Sequence, residues 1–518
     1  MTKIYRILLF FAFALALGIR LYDLTDPPFD FHPTRQFRSV IIARGMYYQT
    51  LTDISDAQRS TAVKQWKKEA IIEPPVFERL VAMTYPLIGG EYIWVARVYS
   101  SLFWVSAGLA LLLIGRETGF QGGGVLAAMY FLFQQYGMIA SRSFQPDPLM
   151  VALMAWGAWA VIRWYQIARS PSAGEGKKIG WAALAGLLIG VAIYVKSVAG
   201  IMLGPALVGM AVANIEFRDG RGLFRHLAAA VRNAQLWALG GLAVLPTVLY
   251  YIYGLFIKGF LRQQLNFRFF PEMWRDPAFY IRWTEMATGI AGFTLLIAAL
   301  VGTFLWRDRT FRGLGVGLWV GYALYSLTFP YHTTTHDYYQ LPLILIVGLG
   351  LIPMAGILLE QLAKQDNRFW GQGVLVGAVI YTVLFYVWDT RVILVRQDDR
   401  GAEERWGRFA EIIPPGKKVV AITQTYGYPL AYYGSVNVDL WLSTSDADLR
   451  ELAGISENKI DEKQAAKLEN NDLFLVTNFN EFDRQADWQA YITTHFAVFD
   501  EGDGYIIFDL NQPLETQP

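Results

Sequence analysis

Residues 331–359 read YHTTTHDYYQLPLILIVGLGLIPMAGILL. The first ten are polar or aromatic and bring together two of the chain's five histidines; the next nineteen carry no charge. An uncharged apolar run of that length is what an α-helix needs to cross a hydrocarbon core about 30 Å thick. The stretch therefore reads as a polar cluster at one membrane face, followed by a span.

The same pattern recurs along the chain. Apolar runs occupy Ile4–Tyr22, Val98–Ile114, Gly122–Ile139, Pro148–Arg163, Ile179–Val195 and Val198–Asn214. They continue at Leu236–Ile257, Ala287–Trp306, Gly313–Phe329, Leu341–Leu359 and Gly371–Trp388. The pair flanking Lys196-Ser197 reads as a tight hairpin or a re-entrant segment. The first run reads as an uncleaved anchor, although Ala14-Leu15-Ala16 has the small residues of a cleavage site. Composition agrees: 54% of the 518 residues are hydrophobic, mean hydropathy is +0.28, and 17% are charged, against about 25% in soluble domains. The net charge of +1 hides an asymmetry. From Gln397 onward the chain has 22 acidic and 10 basic residues, against 22 acidic and 35 basic before it. The expected fold is a polytopic α-helical membrane protein of about eleven transmembrane helices with a small C-terminal α/β soluble domain. Residues 1–396 form the membrane domain, with a long first outer loop at 23–97, and residues 397–518 the soluble one.

That last domain alternates strand-like and helix-like stretches. Lys418–Gln424 and Asp472–Thr477 read as buried strands, and Phe496–Asp500 with Tyr505–Asp509 as a hairpin around Gly502-Asp503-Gly504. Asp446–Ala453 and Glu481–Thr493 read as helices. No Gly-rich phosphate loop occurs there. The chain has no cysteine, which excludes disulfides, thiolate nucleophiles and Cys-based metal sites.

Orientation follows from the short loops. With the N-terminus inside, the cytoplasmic connections carry Arg116, Arg163, Arg169, Lys177 and Lys178, then Arg218, Arg221, Arg225 and Arg232. Arg307, Arg309, Arg312, Lys364 and Arg368 complete the positive-inside bias. The long first loop, the turns at Asp147, Lys196 and His332, and the C-terminal domain then lie outside. The Lys258–Glu285 loop also falls outside although it is basic, which calls for either a different topology there or an anionic ligand.

Candidate functional residues gather on that outer face. Asp30 lies in PPFDFHPTRQ, residues 27–36. A carboxylate beside His32 and Arg35 fits a general base acting on an acceptor hydroxyl or amine; it equally fits a prolyl turn whose Asp caps the next helix. Asp147, followed by Pro148, has the residue types of a helix N-cap and N1, and can also face a ligand. Arg142 on the same turn is a phosphate ligand or an interfacial anchor. Lys196 either snorkels to water or points at an anionic headgroup. His332, His336, Asp337 and Tyr338 can donate to phosphate or sugar oxygens. Two imidazoles and a carboxylate at that spacing also leave a divalent metal open. The loop from Lys258 interleaves Arg262, Arg268, Arg275 and Arg282 with aromatics, the composition of a segment lying against anionic lipid headgroups. A membrane-bound outer loop argues against nucleic acid.

Taken in order, these motifs resemble a family. An outer-loop Asp after the first span, Glu73-Pro74-Pro75, Arg97 opening the second span, Arg142 with Pro146-Asp147, Tyr194-Val195-Lys196 and His336-Asp337-Tyr338-Tyr339-Gln340 resemble the GT-C glycosyltransferases. The branch is that of the protein O-mannosyltransferases and aminoarabinose transferases, and the likeness covers about Ile4 to Trp388. It implies a membrane glycosyltransferase with a polyprenyl-phosphate-linked sugar donor, an acceptor of unspecified class (lipid, glycan or protein) and Asp30 as catalytic base, with inversion. The donor would be held by the basic outer residues. Many relatives place an acidic residue after the loop Asp, whereas Phe31-His32 follow here. The rival reading is a multi-pass lipid or solute transporter. Transporters often carry internal repeats; no repeat is visible, and the charges cluster at one face.

Because no native cysteine interferes, single-cysteine variants test the orientation directly. An impermeant maleimide applied to intact cells is expected to label Asn470→Cys and Lys258→Cys, and Lys177→Cys only after permeabilisation. Labelling of Asn470→Cys only in permeabilised cells would reverse the assignment.

Overall fold

A computed structural model describes residues 3–70, 73–214, 228, 230–261 and 269–514. Contacts divide the chain into two compact units, Met1–Thr25 with Ile71–Leu80 and Tyr92–Gln397, and Asp26–Ala70 with Val81–Glu91 and Asp398–Pro518. Most of the first loop, grouped with the spans in the sequence reading, therefore belongs with the C-terminal residues.

The reason is a set of buried polar ties within the second unit. The loop contributes the helices Pro33–Tyr48 and Asp56–Lys68; Ser55 and Gln58 close a reciprocal cap at the start of the latter. Arg44 pairs with Glu91 at 3.0 Å, donates to the Tyr432 carbonyl at 2.6 Å and lies 3.5 Å from the Tyr432 ring centroid. The Tyr432 hydroxyl donates to Glu91 at 2.6 Å, and Gln65 donates to the Ala431 carbonyl at 2.9 Å. Tyr428 donates to Glu69 at 2.8 Å. Burial pushes the Glu69 carboxyl up, while the Tyr428 hydroxyl and Arg38 pull it back.

The C-terminal residues build a five-stranded sheet in the order β2-β1-β3-β5-β4. The strands are β1 (Val419–Ile422), β2 (Val438–Leu440), β3 (Leu473–Val476), β4 (Phe496–Gly502) and β5 (Tyr505–Pro513). β1 runs parallel to β2 and β3, and β5 antiparallel to β3 and β4. Alternation decides the two faces. Val419, Ala421, Leu473, Leu475 and Ile507 join one core with Trp406 and Phe409, whereas Val420, Ile422, Phe474, Val476 and Phe508 join the other. The short β2 has no counterpart in the sequence reading, because only one of its three residues is buried. A helix at Glu457–Asn470 was likewise not legible there. The helix expected at Glu481–Thr493 is two, Phe479–Arg484 and Ala486–His495, broken at Gln485. The Gln485 amide donates to the Leu442 carbonyl and to Glu481 and accepts from Trp441.

In the first unit every one of the eleven apolar runs falls on helix. Among the described residues, five helices are long and apolar enough to cross a membrane: Trp94–Glu117, Glu175–Val195, Ala234–Ile257, Asp337–Ala363 and Arg368–Arg396. A bent pair makes a sixth. That pair, Pro277–Ala291 and Phe293–Phe304, corrects the straight span expected at Ala287–Trp306: the chain turns by 91° at Gly292, whose φ of +83° suits only glycine readily. The run at Gly122–Ile139 also breaks, into Gln121–Phe133 and Gln135–Ala140 around extended Gln134. The carbonyl of Leu132 freed by this break accepts from Arg20 at 2.8 Å, and Arg20 also donates to Ser141 at 2.7 Å. From Leu341 to Pro353 every residue is buried, so this helix is the centre of the unit.

Close helix packing rests on small residues. Gly313, Gly317 and Gly321 recur every four residues on Arg309–Thr328 and face Val198–Val212. A Cβ added at Gly321 would lie 2.6 Å from the Met202 Cα, and one at Gly317 2.6 Å from the Ala206 Cα. Backbone cannot yield as a side chain can. Gly321→Leu is expected to lower stability by about 1–3 kcal/mol, read as a fall in melting temperature in detergent. The control Gly204→Leu, where a Cβ meets open space, should leave it unchanged.

Candidate active site

Asp147 does not cap its helix, contrary to its sequence pattern. Pro146 is the N-cap and Asp147 the first helical residue of Asp147–Ala168. Its Oδ1 accepts from Lys196 Nζ at 2.8 Å, with both side chains almost wholly buried. Lys196 correspondingly does not snorkel. It sits in extended backbone between Glu175–Val195 and Val198–Val212, a tight break that sends its side chain inward. An unpaired charge at that depth costs several kcal/mol, about 3–5, more than a lost cap. The pairing therefore wins.

The ammonium also faces the Tyr338 and Tyr339 rings, 5.5 and 5.3 Å from their centroids. Tyr339 stacks on His332 at 5.4 Å and on Tyr325 at 5.8 Å, and His332 and His336 lie 5.5 Å apart. Gln340 locks this segment by donating to the Thr333 carbonyl and accepting from Tyr322 at 2.6 Å. Tyr136 lies within electrostatic reach of Asp337. The structure thus brings together Asp147, Lys196, His332, His336, Asp337 and Tyr338. Among the described residues no three His, Cys, Asp or Glu side chains converge as metal ligands. Two polar groups remain open: Asp147 Oδ2 and the Gln145 amide are buried and meet no partner among the described residues. Buried polar groups are rarely left so, and both can orient ligand hydroxyls.

Arg142 is 1% exposed, and its guanidinium donates to the Asp23 carbonyl at 2.8 Å. Arg97, equally buried, donates to the carbonyls of Asp23 and Leu24. Both act on the segment that leaves the first helix. Arg262 and Arg268 lie outside the described residues, as do Arg218, Arg221 and Arg225.

An apolar cavity of about 620 Å³ opens in the same unit. Its walls come from Gln121–Phe133, the two halves of the bent pair, the central helix and Arg368–Arg396, through residues such as Met129, Gly292, Met354 and Val379. Tyr136 belongs to its lining and lies within electrostatic reach of Asp337, so the cavity ends near the polar cluster.

Asp30 and Arg35 belong to the second unit. Asp30 does not cap the following helix; His32 does so by position, in left-handed backbone with φ of +42°. Buried Gln36 builds the turn: its amide donates to Asp30 Oδ1 at 3.1 Å, to the Phe31 carbonyl at 2.7 Å and to the Pro28 carbonyl at 3.3 Å. Phe29 packs on Phe37 at 4.9 Å, and Asp26 accepts from the Asp399 amide at 3.0 Å. The carboxylate is half-buried and accepts from Gln36. Gln36, Tyr136 and Gln145 carry no sequence signal as site residues, since a neutral polar side chain declares its role only through its partners.

The sequence profile of the family described as dolichyl-phosphate-mannose-protein mannosyltransferase matches residues 72–251. In structure the chain is similar to ArnT from Cupriavidus metallidurans bound to undecaprenyl phosphate, with a TM-score of 0.59 at 14% identity over 99% of both chains. It is also similar to the archaeal oligosaccharyltransferase AglB from Archaeoglobus fulgidus in complex with an inhibitory peptide and a dolichol-phosphate. There the TM-score is 0.54 at 12% identity, covering 96% of this chain and 73% of that one. No curated protein matches in sequence. The fold is the GT-C fold that the resemblance implied, that of a multi-pass membrane protein.

Removing one member of the buried pair strands the other. Lys196→Met and Asp147→Leu are each expected to cost about 3–5 kcal/mol, whereas the double variant should recover most of the loss. Thermal unfolding of the three variants in one detergent measures this; additive losses would mean that the two groups are not coupled.

Proposed function

We propose that this chain is an inverting membrane glycosyltransferase that moves a sugar from a polyprenyl-phosphate donor to an acceptor on the extracytoplasmic side, with Asp30 as general base. The observation that carries the reading is the apolar cavity ending against the cluster of Lys196, Tyr338, His332 and His336. A ligand with a long apolar tail and an anionic, hydroxylated head fits such a pairing. The polyprenyl phosphates bound by ArnT and AglB are of that kind, and the matched mannosyltransferase profile supports the same chemistry.

In the proposed reaction the acceptor oxygen or nitrogen attacks the anomeric carbon while the bond from that carbon to the phosphate oxygen breaks. Asp30 takes the acceptor's proton, and the polyprenyl phosphate leaves with the electron pair. Charge grows on the phosphate as the bond lengthens. Preorganised donors are most effective where charge develops, which assigns Lys196, shared with Asp147, and the two imidazoles to the leaving phosphate. Arg262 and Arg268 are assigned to the donor on their sequence position, and Arg35 to the mouth of the Asp30 turn. Asp147 Oδ2 and Gln145 are assigned to donor sugar hydroxyls. Arg142, whose Nη2 donates to the Asp23 carbonyl, is assigned to the donor phosphate through the rest of its guanidinium.

Asp30→Asn removes the proton acceptor but keeps the contact to Gln36 within reach of an amide. It is expected to leave melting temperature and polyprenyl-phosphate binding near wild type, and to lower label transfer from a polyprenyl-phosphate sugar by about two orders of magnitude or more. Wild-type turnover in Asp30→Asn would remove the base assignment. Vectorial movement of the labelled lipid without any transfer would favour a transporter.

A further inference from the structure

The connections that follow β1 and β3 diverge. From β1 the chain passes through Tyr428–Tyr433 to β2 on one side, and from β3 through residues 479–495 to β4 at the opposite edge. Such a divergence opens a crevice at the carboxyl ends of parallel strands, where α/β sheets bind ligands. Here the crevice is a cleft of about 780 Å³ in the second unit, with Gln424, Thr425 and Thr477 on one wall.

That wall is unusually specified. Thr425, Tyr426 and Gly427 are all left-handed, with φ of 56°, 53° and 70°. L-residues avoid consecutive left-handed backbone, and such strain concentrates at binding sites. Gln424 is fixed at both ends of its amide: Nε2 donates to the Thr477 carbonyl and Oε1 accepts from the Thr477 hydroxyl, each at 2.7 Å. The lining also carries Arg405 and Arg408 with Asp399 and Glu404. Trp406, 6% exposed, lines the floor, and its indole N–H meets no acceptor among the described residues; nor does Arg408 Nε. Phe29, the residue before Asp30, also lines the cleft. Asp26 ties that turn to the cleft rim through the Asp399 amide.

Three carboxylates, those of Asp399, Glu404 and Asp503, outnumber two guanidinium groups in the lining, so a phosphate or carboxylate ligand is disfavoured. Hydroxyl, amide, carboxylate and guanidinium groups placed side by side suit vicinal hydroxyls, each of which donates and accepts, and Phe29 offers an apolar wall to a ring. We infer that this cleft holds the acceptor of the transfer reaction, and that the part it holds is an uncharged saccharide. The inference rests on the transferase reading for the word acceptor; the saccharide site itself does not.

Saturation-transfer NMR on the full chain in detergent tests it, with maltose, lactose and chitobiose as probes and a Ser/Thr-rich decapeptide as the comparison. At least one disaccharide should receive saturation, and its affinity should fall about tenfold in Arg405→Ala/Gln424→Ala. The single variant Arg405→Ala, at an exposed position, should show a smaller fall if the double variant proves unstable. Asp30→Asn should bind the disaccharide as wild type does, which separates loss of this site from loss of the chemistry. Saturation of the peptide and of no disaccharide, or equal saccharide affinity in wild type and variants, would overturn the inference even if label transfer persists.

Discussion

Two buried guanidinium groups, those of Arg97 and Arg142, end on one carbonyl oxygen, that of Asp23 (3.4 and 2.8 Å). An arginine at 1% exposure inside a membrane protein is tolerable only where backbone or acid groups receive its protons. Here the receiving group is the first turn beyond the Lys3–Arg20 helix, in left-handed backbone at Asp23. Arg20 fixes the same helix from its other side through Leu132 and Ser141. The point at which the chain leaves the membrane unit is therefore pinned by three arginines. Three residues later it enters the second unit at Asp26, and four more bring it to Asp30.

Irregular backbone within the membrane unit lies beside its buried polar groups and its apolar cavity. The breaks at Gln134, Lys196 and Gly292 each end a helix early. Helix ends leave carbonyls and amides that bilayer lipid cannot satisfy, so breaks persist only where side chains answer them or a cavity is lined. Arg20 answers the first. The second places Lys196 against Asp147. The third bends the chain beside the apolar cavity, which Gly292 itself lines. Regular packing elsewhere is carried by glycines at four-residue spacing, where dispersion between closely approached backbones replaces the hydrophobic drive that lipid does not supply.

Charge neutralisation has a second consequence for the donor site. With Asp147 at 2.8 Å, Lys196 is not a bare cation awaiting a phosphate. In the proposed reaction an approaching phosphate would share the ammonium with Asp147, and the imidazoles and tyrosines of residues 332–339 would supply further hydrogen bonds to the donor. Under the proposed function this sharing would favour release of the phosphate lipid over a single tight ion pair, since each 1.4 kcal/mol of excess affinity would slow departure about tenfold.

The sequence by itself determined what depends on local composition. Eleven apolar runs give helices because any such run in lipid must satisfy its own backbone. β1, β3 and the terminal hairpin are legible because short uninterrupted apolar runs and the Gly502-Asp503-Gly504 turn are local properties. The polar cluster at 332–340 was legible for the same reason. Tertiary structure alone decided which polar groups meet. Asp147 reads as a cap until Lys196, 49 residues away, takes its carboxylate. Asp30 reads as a helix cap until His32 is seen to take the N-cap position and Gln36 to hold the carboxylate. The first loop reads as part of the membrane domain until Arg44 meets Glu91 and Tyr432. In each case the outcome turns on the desolvation of a charged or polar group, whose cost depends on partners distant in sequence.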